Sequence, residues 1–204
     1  MSDFEKIWEE TAARAPFAIP AGLGPALAQF RDELARWNEI INLVRYRDDA
    51  ELASRHLLDS LAGASAIPFG VRMADVGTGA GFPGLIIALA RPDLTILLVE
   101  AARKKANFLR HMRREWNLPH VEIKAVRTDK LEPSSFDAVT GRAAAKPSEF
   151  VETVRPLLAP GGAIYLWTTP EGAASVTGMS VTAHAEYVLP GDDVRRTLAV
   201  INPT

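Results

Sequence analysis

A ten-residue run, Asp75-Val-Gly-Thr-Gly-Ala-Gly-Phe-Pro-Gly84, leaves the chain few folds to choose from. Apolar residues precede it from Val71 to Ala74, and a second apolar run, Leu85 to Ala90, follows. Strand, glycine-rich turn and helix in that order open a nucleotide-binding α/β unit. Gly77 and Gly79 permit a tight turn with positive φ and leave bare backbone for a ligand to touch. Gly81 and Gly84 let the helix lie close to the strand. Pro83 suits a first helical position, where its missing N–H costs nothing.

The surrounding pattern agrees. Leu27, Phe30, Leu34, Trp37, Ile41 and Val44 recur at steps of three and four, which predicts an amphipathic helix. Asp48-Asp-Ala-Glu51 reads as a capping box that starts a second helix, fading at Gly63. Strands are expected over 71–76, 94–100, 120–126, 136–141, 163–169, 184–189 and 195–201, and helices over 83–90, 102–116 and 148–158. Residues 1–25 are weakly patterned, and 127–135 and 170–182 read as loops. The expected fold is α/β and Rossmann-like: a mostly parallel seven-stranded sheet, helices on both faces, and an antiparallel strand at its end. Residues 1–66 would form a small helical appendage and 67–204 the ligand-binding domain.

Ligands of such sheets sit beyond the carboxyl ends of the strands. Gly79-Ala-Gly81-Phe-Pro-Gly84 fits the dinucleotide pattern G-x-G-x-x-G, yet the glycines begin at Gly77, directly after a strand that Asp75 closes. An acid there is awkward beside a pyrophosphate and welcome beside the ammonium and sulfonium of S-adenosylmethionine. The loop has no Lys, which argues against a phosphate-cradling P-loop. The loop residues Asp75, Gly77, Thr78, Gly79 and Phe82 are candidate contacts. Glu100, ending the next strand, is placed to accept from both ribose hydroxyls. Thr128 and Asp129 follow the third strand; Asp129 could meet an adenine amino group or cap a helix. Arg142 follows the fourth, where a cation at the mouth of the crevice is expected to serve the site rather than only to close a buried ion pair. A nicotinamide-dependent oxidoreductase is the rival class. Asp75 ahead of Gly77, and the lack of a catalytic Tyr-Lys or His placement, count against it.

Composition narrows the chemistry. Cysteine is absent, which excludes disulfides, cysteine-based zinc sites and the covalent thiol route to pyrimidine C5 methylation. No metal-ligand spacing or Ser-His-Asp arrangement is visible, so no metal is expected. No apolar run is long enough for a membrane span, and the first residues carry no secretory pattern, so a cytoplasmic protein is expected. Net charge is −2, but Arg103, Lys104, Lys105, Arg110, Arg113 and Arg114 fall in one stretch without an acid. That stretch is a phosphate-contact candidate or a solvated helix face. After the fourth strand the chain reads Gly141-Arg-Ala-Ala, not the Asn/Asp-Pro-Pro-aromatic motif that takes up amino protons. The acceptor expected is therefore an atom with no proton to lose, such as guanine N7. Alignment alone can supply roughly 7–11 kcal/mol of such a barrier. Arg142 is the candidate positioning residue, reaching O6, a phosphate or the cofactor carboxylate, because donation to N7 itself would block the reaction.

Several blocks together resemble the bacterial small-subunit (16S) ribosomal RNA guanine-N7 methyltransferases: Trp37-Asn-Glu-Ile-Ile-Asn-Leu43, Arg55-His-Leu-Leu-Asp-Ser-Leu61, Asp75 to Gly84, Arg103-Lys-Lys-Ala-Asn-Phe-Leu109 and Gly141-Arg-Ala143. The resemblance implies a class I methyltransferase fold, S-adenosylmethionine as donor, and 16S ribosomal RNA or the small-subunit particle as partner of a single protein chain. It implies cofactor contacts at Gly77, Phe82, Thr128, Asp129 and Arg142. His56 and Asp59, one helical step apart, would face the substrate or tie the appendage to the sheet. Arg110, Arg113 and Arg114 become candidate RNA contacts. The chain departs from the family after the fifth strand, where Leu166-Trp-Thr-Thr-Pro170 replaces a usual Lys-Gly. Two alternatives follow: a small-molecule methyltransferase, and a non-catalytic relative that binds RNA or cofactor.

Overall fold

The computed structural model describes residues 1–142 and 146–202. Its strands are β1 (Arg72–Val76), β2 (Thr95–Val99), β3 (Val121–Lys124), β4 (Phe136–Arg142), β5 (Leu158–Thr168), β6 (Ser180–Val188) and β7 (Arg195–Asn202). They form one sheet in the order β3-β2-β1-β4-β5-β7-β6. Pairing is parallel from β3 through β5, and β7 runs antiparallel to both its neighbours. The antiparallel strand thus lies one place in from the edge, because the β6–β7 hairpin inserts its second strand beside β5.

Alternate residues of each strand serve opposite faces, as the pleat requires. Met73, Ile96 and Leu98 enter one apolar cluster, while Ala74, Val76, Leu97 and Val99 enter another. Both faces are therefore covered, which is why the central strands read as unbroken apolar runs. Helices α5 (Gly84–Ala90) and α6 (Arg103–Glu115) cover the first face; α7 (Pro147–Val154) and a following 3-10 turn (Arg155–Leu157) cover the second.

The amino-terminal layer comprises α1 (Asp3–Ala12), α2 (Gly24–Asn38) and a helix from Asp49 to Leu61. That last helix begins as α3 (Asp49–Glu51), widens into a π-helical stretch over Leu52–Leu58 and ends as α4 (Asp59–Leu61). Asp48 caps it by accepting from the Glu51 N–H at 2.8 Å, while the Glu51 carboxylate reaches back to the Arg47 N–H at 2.7 Å. Helix α1 was not expected: Phe4 and Trp8 are its apolar contacts, one turn apart and both buried. Helix α2 stops at Asn38 rather than running to Val44. The Asn38 side chain accepts from the Leu43 N–H at 2.9 Å and donates to the Val44 carbonyl at 2.9 Å, closing a loop. Phe30 packs on Phe82 and Phe108 with ring centroids 5.6 and 5.8 Å away, so this layer shares the core of the sheet's first face.

Four more boundaries differ: α7 stops at Val154 rather than 158, and β6 begins at Ser180 rather than 184, inside the expected loop. Part of the expected 170–182 loop is α8 (Pro170–Ala174), capped by the Thr169 hydroxyl accepting from the Gly172 N–H at 3.2 Å. Strand β5 begins at Leu158 and carries Pro160, Gly161 and Gly162 within it, beside a register shift against β4.

Candidate functional site

Two clefts open at the carboxyl edge of the sheet. The first, about 680 Å³, lies over β1–β3 and is lined by Gly77, Val99, Glu100, Ala101, Val126, Arg127, Thr128 and Phe150, among others. Gly77 has φ 75° and Gly79 φ 61°, a region disfavoured for residues with a Cβ. A Cβ built on Gly77 would meet nothing within 4 Å, so bare backbone faces open space. Glu100 accepts from the Gly79 N–H at 3.1 Å and the Ala102 N–H at 2.8 Å. Each carboxylate oxygen keeps a lone pair for the cleft. An apolar slot floored by Val99, Ala101, Val126 and Phe150 beside that acid suits an adenosine moiety.

The other glycines of the motif do mechanical work. A Cβ on Gly81 would fall 2.7 Å from the Leu85 Cβ, and one on Gly84 2.5 Å from the Asp75 Cβ and 2.6 Å from Leu98. Helix α5 sits against β1 and β2 only because nothing projects there.

Asp75 takes part in that mechanical work and does not line either cleft. Its side chain is wholly buried; it accepts from the Gly84 N–H at 2.8 Å and the Thr140 hydroxyl at 3.0 Å. Burial pushes its pKa up, and these hydrogen bonds with the nearby Thr78 hydroxyl oppose the rise. Thr78 is itself buried, its hydroxyl turned to that carboxyl without reaching a partner at hydrogen-bond geometry. Both side chains were expected to face the ligand; the pleat of β1 turns Asp75, and the following turn Thr78, beneath the loop instead. Phe82 is likewise turned in, its ring 5.3 Å from the His56 ring and 5.6 Å from that of Phe30. Asp129 neither caps a helix nor lines the cleft. It lies in a 3-10 turn (Thr128–Lys130) whose wide angular step faces Thr128 inward and leaves Asp129 outside, 3.8 Å from Arg127 and Lys130.

The second cleft, about 460 Å³, lies under the π-helical stretch and is lined by Arg55, His56, Asp59, Arg142, Trp167, Thr168, Thr169, Gly172, Tyr187 and others. Arg142 spans it from the end of β4. Arg142 Nη1 donates to the π-helical carbonyls of Arg55 at 3.1 Å and His56 at 3.4 Å, the latter also accepting from the Ser60 hydroxyl at 2.6 Å. It also donates to Asp59 Oδ2 at 3.2 Å, and the guanidinium lies 4.9 Å from the Phe82 ring centroid. Arg142 closes the buried ion pair that was weighed against a site role, and its side chain, 14% exposed, lines the cleft. Burial pulls its pKa below the usual value, and Asp59 opposes that.

Asp59 gathers the distant parts of the chain. Its Oδ1 accepts from the Tyr187 hydroxyl of β6 at 2.8 Å and lies 3.8 Å from Arg196 of β7. Its carbonyl accepts from the Trp167 indole N–H of β5 at 2.8 Å. Burial, then the adjacent carboxylate, pushes the Tyr187 pKa far up, so Tyr187 stays a neutral donor. Asp192 accepts from both Arg55, at 2.9 Å, and Arg196. Trp167 stands near the position where the family resemblance led to a Lys, and its ring fills the space over Gly63, where a Cβ would come within 2.4 Å. Trp167, Tyr187, Asp192 and Arg196 carried no local sequence signal; only the closed sheet brings them to Asp59.

Helix α6 runs antiparallel to the strands. Its first turn, with Lys104 and Lys105, lies beside the loop 38–42 at the cleft end, whereas Arg110 and Arg113 line a groove with Thr95 and His120–Ile123 at the opposite edge. Ten residues of helix, roughly 15 Å, separate Arg103 from Arg113. The structure thus does not bring Arg110, Arg113 and Arg114 to the clefts. Among the described residues no cluster suits a metal ion, and no helix is long and apolar enough to cross a membrane.

Comparison with known proteins places the chain in a family. The family model described as "rRNA small subunit methyltransferase G" matches residues 24–178. A ribosomal RNA small subunit methyltransferase G of Methylobacillus flagellatus is 33% identical over 189 residues, covering 90% of each chain. That of Halorhodospira halophila is 43% identical over 143 residues, 69% of this chain and 68% of its own. Among solved structures, a cofactor-bound protein from MTB is similar with TM-score 0.63 and 18% identity, covering 88% of this chain and 91% of its own. A ribosomal protein L11 methylase of Lactobacillus delbrueckii aligns with TM-score 0.61 and 11% identity, covering 78% and 81%. These two share the fold. With the family model matching residues 24–178 and relatives 33% and 43% identical over most of their length, the chain belongs to the rRNA small subunit methyltransferase G family.

Proposed function

We propose that this chain methylates N7 of a guanine in 16S ribosomal RNA, by direct in-line transfer without a general base. S-adenosylmethionine is the methyl donor of such an enzyme. The first cleft fits it: Gly77 offers backbone without a side chain, Glu100 a carboxylate for the ribose, and Val99, Val126 and Phe150 an apolar slot for the base. The donor supplies a sulfonium-bound methyl; as the N7–CH3 bond forms, the S–CH3 bond breaks with its pair going to sulfur, and the positive charge passes to the purine.

One observation carries the reading. The second cleft holds no free base among its described lining residues. Asp59 is engaged by Arg142 and Tyr187, and Nδ1 of His56 lies 3.4 Å from Arg142 Nη2. An exocyclic amine would need somewhere for its proton to go; N7 presents a lone pair and releases none. The protein's part is then to exclude water, align the two reactants and keep cations off that lone pair. Arg142 Nη1 is committed to Asp59 and the carbonyls of Arg55 and His56, and Nη2 lies 3.4 Å from His56 Nδ1.

The test is to incubate the protein with labelled donor and ribosomal RNA from a strain lacking the gene, then map the label. Label on N7 of one 16S guanine is expected. Label on an amino group, a ribose or a protein would reject the reading.

A further inference from the structure

We propose that the second cleft is a subsite for a 6-oxopurine and that His56 recognises it, donating from Nε2 to O6. This rests on the guanine reading above and adds the group that distinguishes guanine from adenine.

Arg142 Nη2 lies 3.4 Å from His56 Nδ1. A guanidinium has donors and no acceptor, so Nδ1 must accept. The ring's proton then sits on Nε2. Burial, and next the Arg142 charge, lower the His56 pKa to about 4, so the ring is neutral in ordinary buffer. Arg55 and Arg196 push the same way and Glu51 opposes them. Among the described residues Nε2 has no hydrogen-bond partner, and it is not among the buried side-chain atoms left without one. His56 lines the cleft together with Thr168, Thr169 and Gly172. The result is a neutral, fixed donor at an open cleft. The six-position of guanine accepts a hydrogen bond and that of adenine donates one. An Nε2–H therefore welcomes the first and meets the second donor to donor. Arg142 acts here as a positioning residue, holding the imidazole in one tautomer.

Two measurements test this. In protein carrying 15N-histidine at pH 7, the His56 Nε2 resonance should show a bonded proton and Nδ1 a bare nitrogen; the opposite tautomer, or an imidazolium, overturns the proposal. Separately, RNA substrates would carry guanine or 2-aminopurine, which keeps N7 and lacks O6, at the mapped site. The wild type should prefer guanine on the order of 10- to 100-fold in kcat/KM. His56→Phe should lose most of that preference and His56→Gln, which restores an N–H, should recover part of it. Calorimetric S-adenosylmethionine binding by each variant serves as the control for folding. N7 methylation with undiminished preference in His56→Phe refutes the subsite alone. Methylation of another atom by the wild type refutes the function on which it rests.

Discussion

Replacing Asp75 by Asn separates two roles for the carboxylate under the glycine loop. In the structure it is a buried acceptor for the Gly84 N–H at 2.8 Å and the Thr140 hydroxyl at 3.0 Å. Asn offers one oxygen to Gly84 and turns its amide N–H toward Thr140, whose hydroxyl can accept. Hydrogen bonds to a charged acceptor contribute about 1.5–3 kcal/mol and neutral ones about 0.5–1.5 kcal/mol, so each bond weakens by roughly 1 kcal/mol. Against that, the variant no longer buries a charge, the cost that raises the Asp75 pKa. The two effects oppose, and Asp75→Asn should stay within about 1 kcal/mol of the wild type in urea unfolding. Asp75→Ala orphans the Gly84 amide and opens a void, costing about 2–4 kcal/mol. The sign with pH follows from the raised pKa: the folded state holds the proton longer than the unfolded one, so this group's contribution falls as pH rises from 3.8 through the folded pKa. The advantage of Asn over Asp therefore grows with pH across that window. Calorimetry completes the assay. S-adenosylmethionine affinity should be retained in Asp75→Asn; a tenfold or greater loss at unchanged stability would put the carboxylate against the donor and refute the structural assignment.

Three further outcomes are expected. Gly77→Ala, at φ 75° with open space around a Cβ, should cost roughly 1–2 kcal/mol of stability and weaken donor binding well beyond that, whereas Gly84→Ala, 2.5 Å from Asp75, should lower the unfolding midpoint by the 1–3 kcal/mol typical of overpacking and affect binding only through folding. Lys104→Ala with Lys105→Ala should flatten the salt dependence of RNA affinity by about 0.7 per lost contact, and changing Arg110, Arg113 and Arg114 together should leave it in place; a flattened slope in the triple variant alone would put RNA on the far edge. His56 is half-buried with its pKa lowered to about 4, so the unfolded chain takes up a proton that the folded one refuses. Its contribution, about 3 kcal/mol in full, is present above pH 6.5 and lost as pH falls toward 4. Denaturant unfolding of wild type and His56→Asn over that range should diverge in slope, and parallel curves would return His56 to an unperturbed site.

The parts of the fold that local chemistry dictates were legible in the sequence. Period-2 and period-3.6 apolar patterns and the glycine turn give β1 to β4, β7, α5 and α6 to within two residues, because each depends on its own neighbours. Gly77, Glu100 and Thr128 follow from the rule that ligands gather at the strands' carboxyl ends, and they do line the first cleft. What the sequence does not carry is side-chain direction at a strand's end and through the turn that follows, which took Asp75, Thr78 and Phe82 beneath the surface. Nor does it carry contacts closed late: Asp59 and Tyr187 meet across 128 positions. Helix α1 escaped notice because Phe4 and Trp8 are too few to make a pattern until a core exists to receive them.

The wiring of Asp59 sets an order of assembly. Every described residue lining the first cleft has been made by Thr153, yet the second needs Trp167, Tyr187 and Arg196 before its wall closes. On a ribosome, the residues of the first cleft emerge some forty positions before the last of the second, and a single carboxylate latches the late arrivals to the early ones.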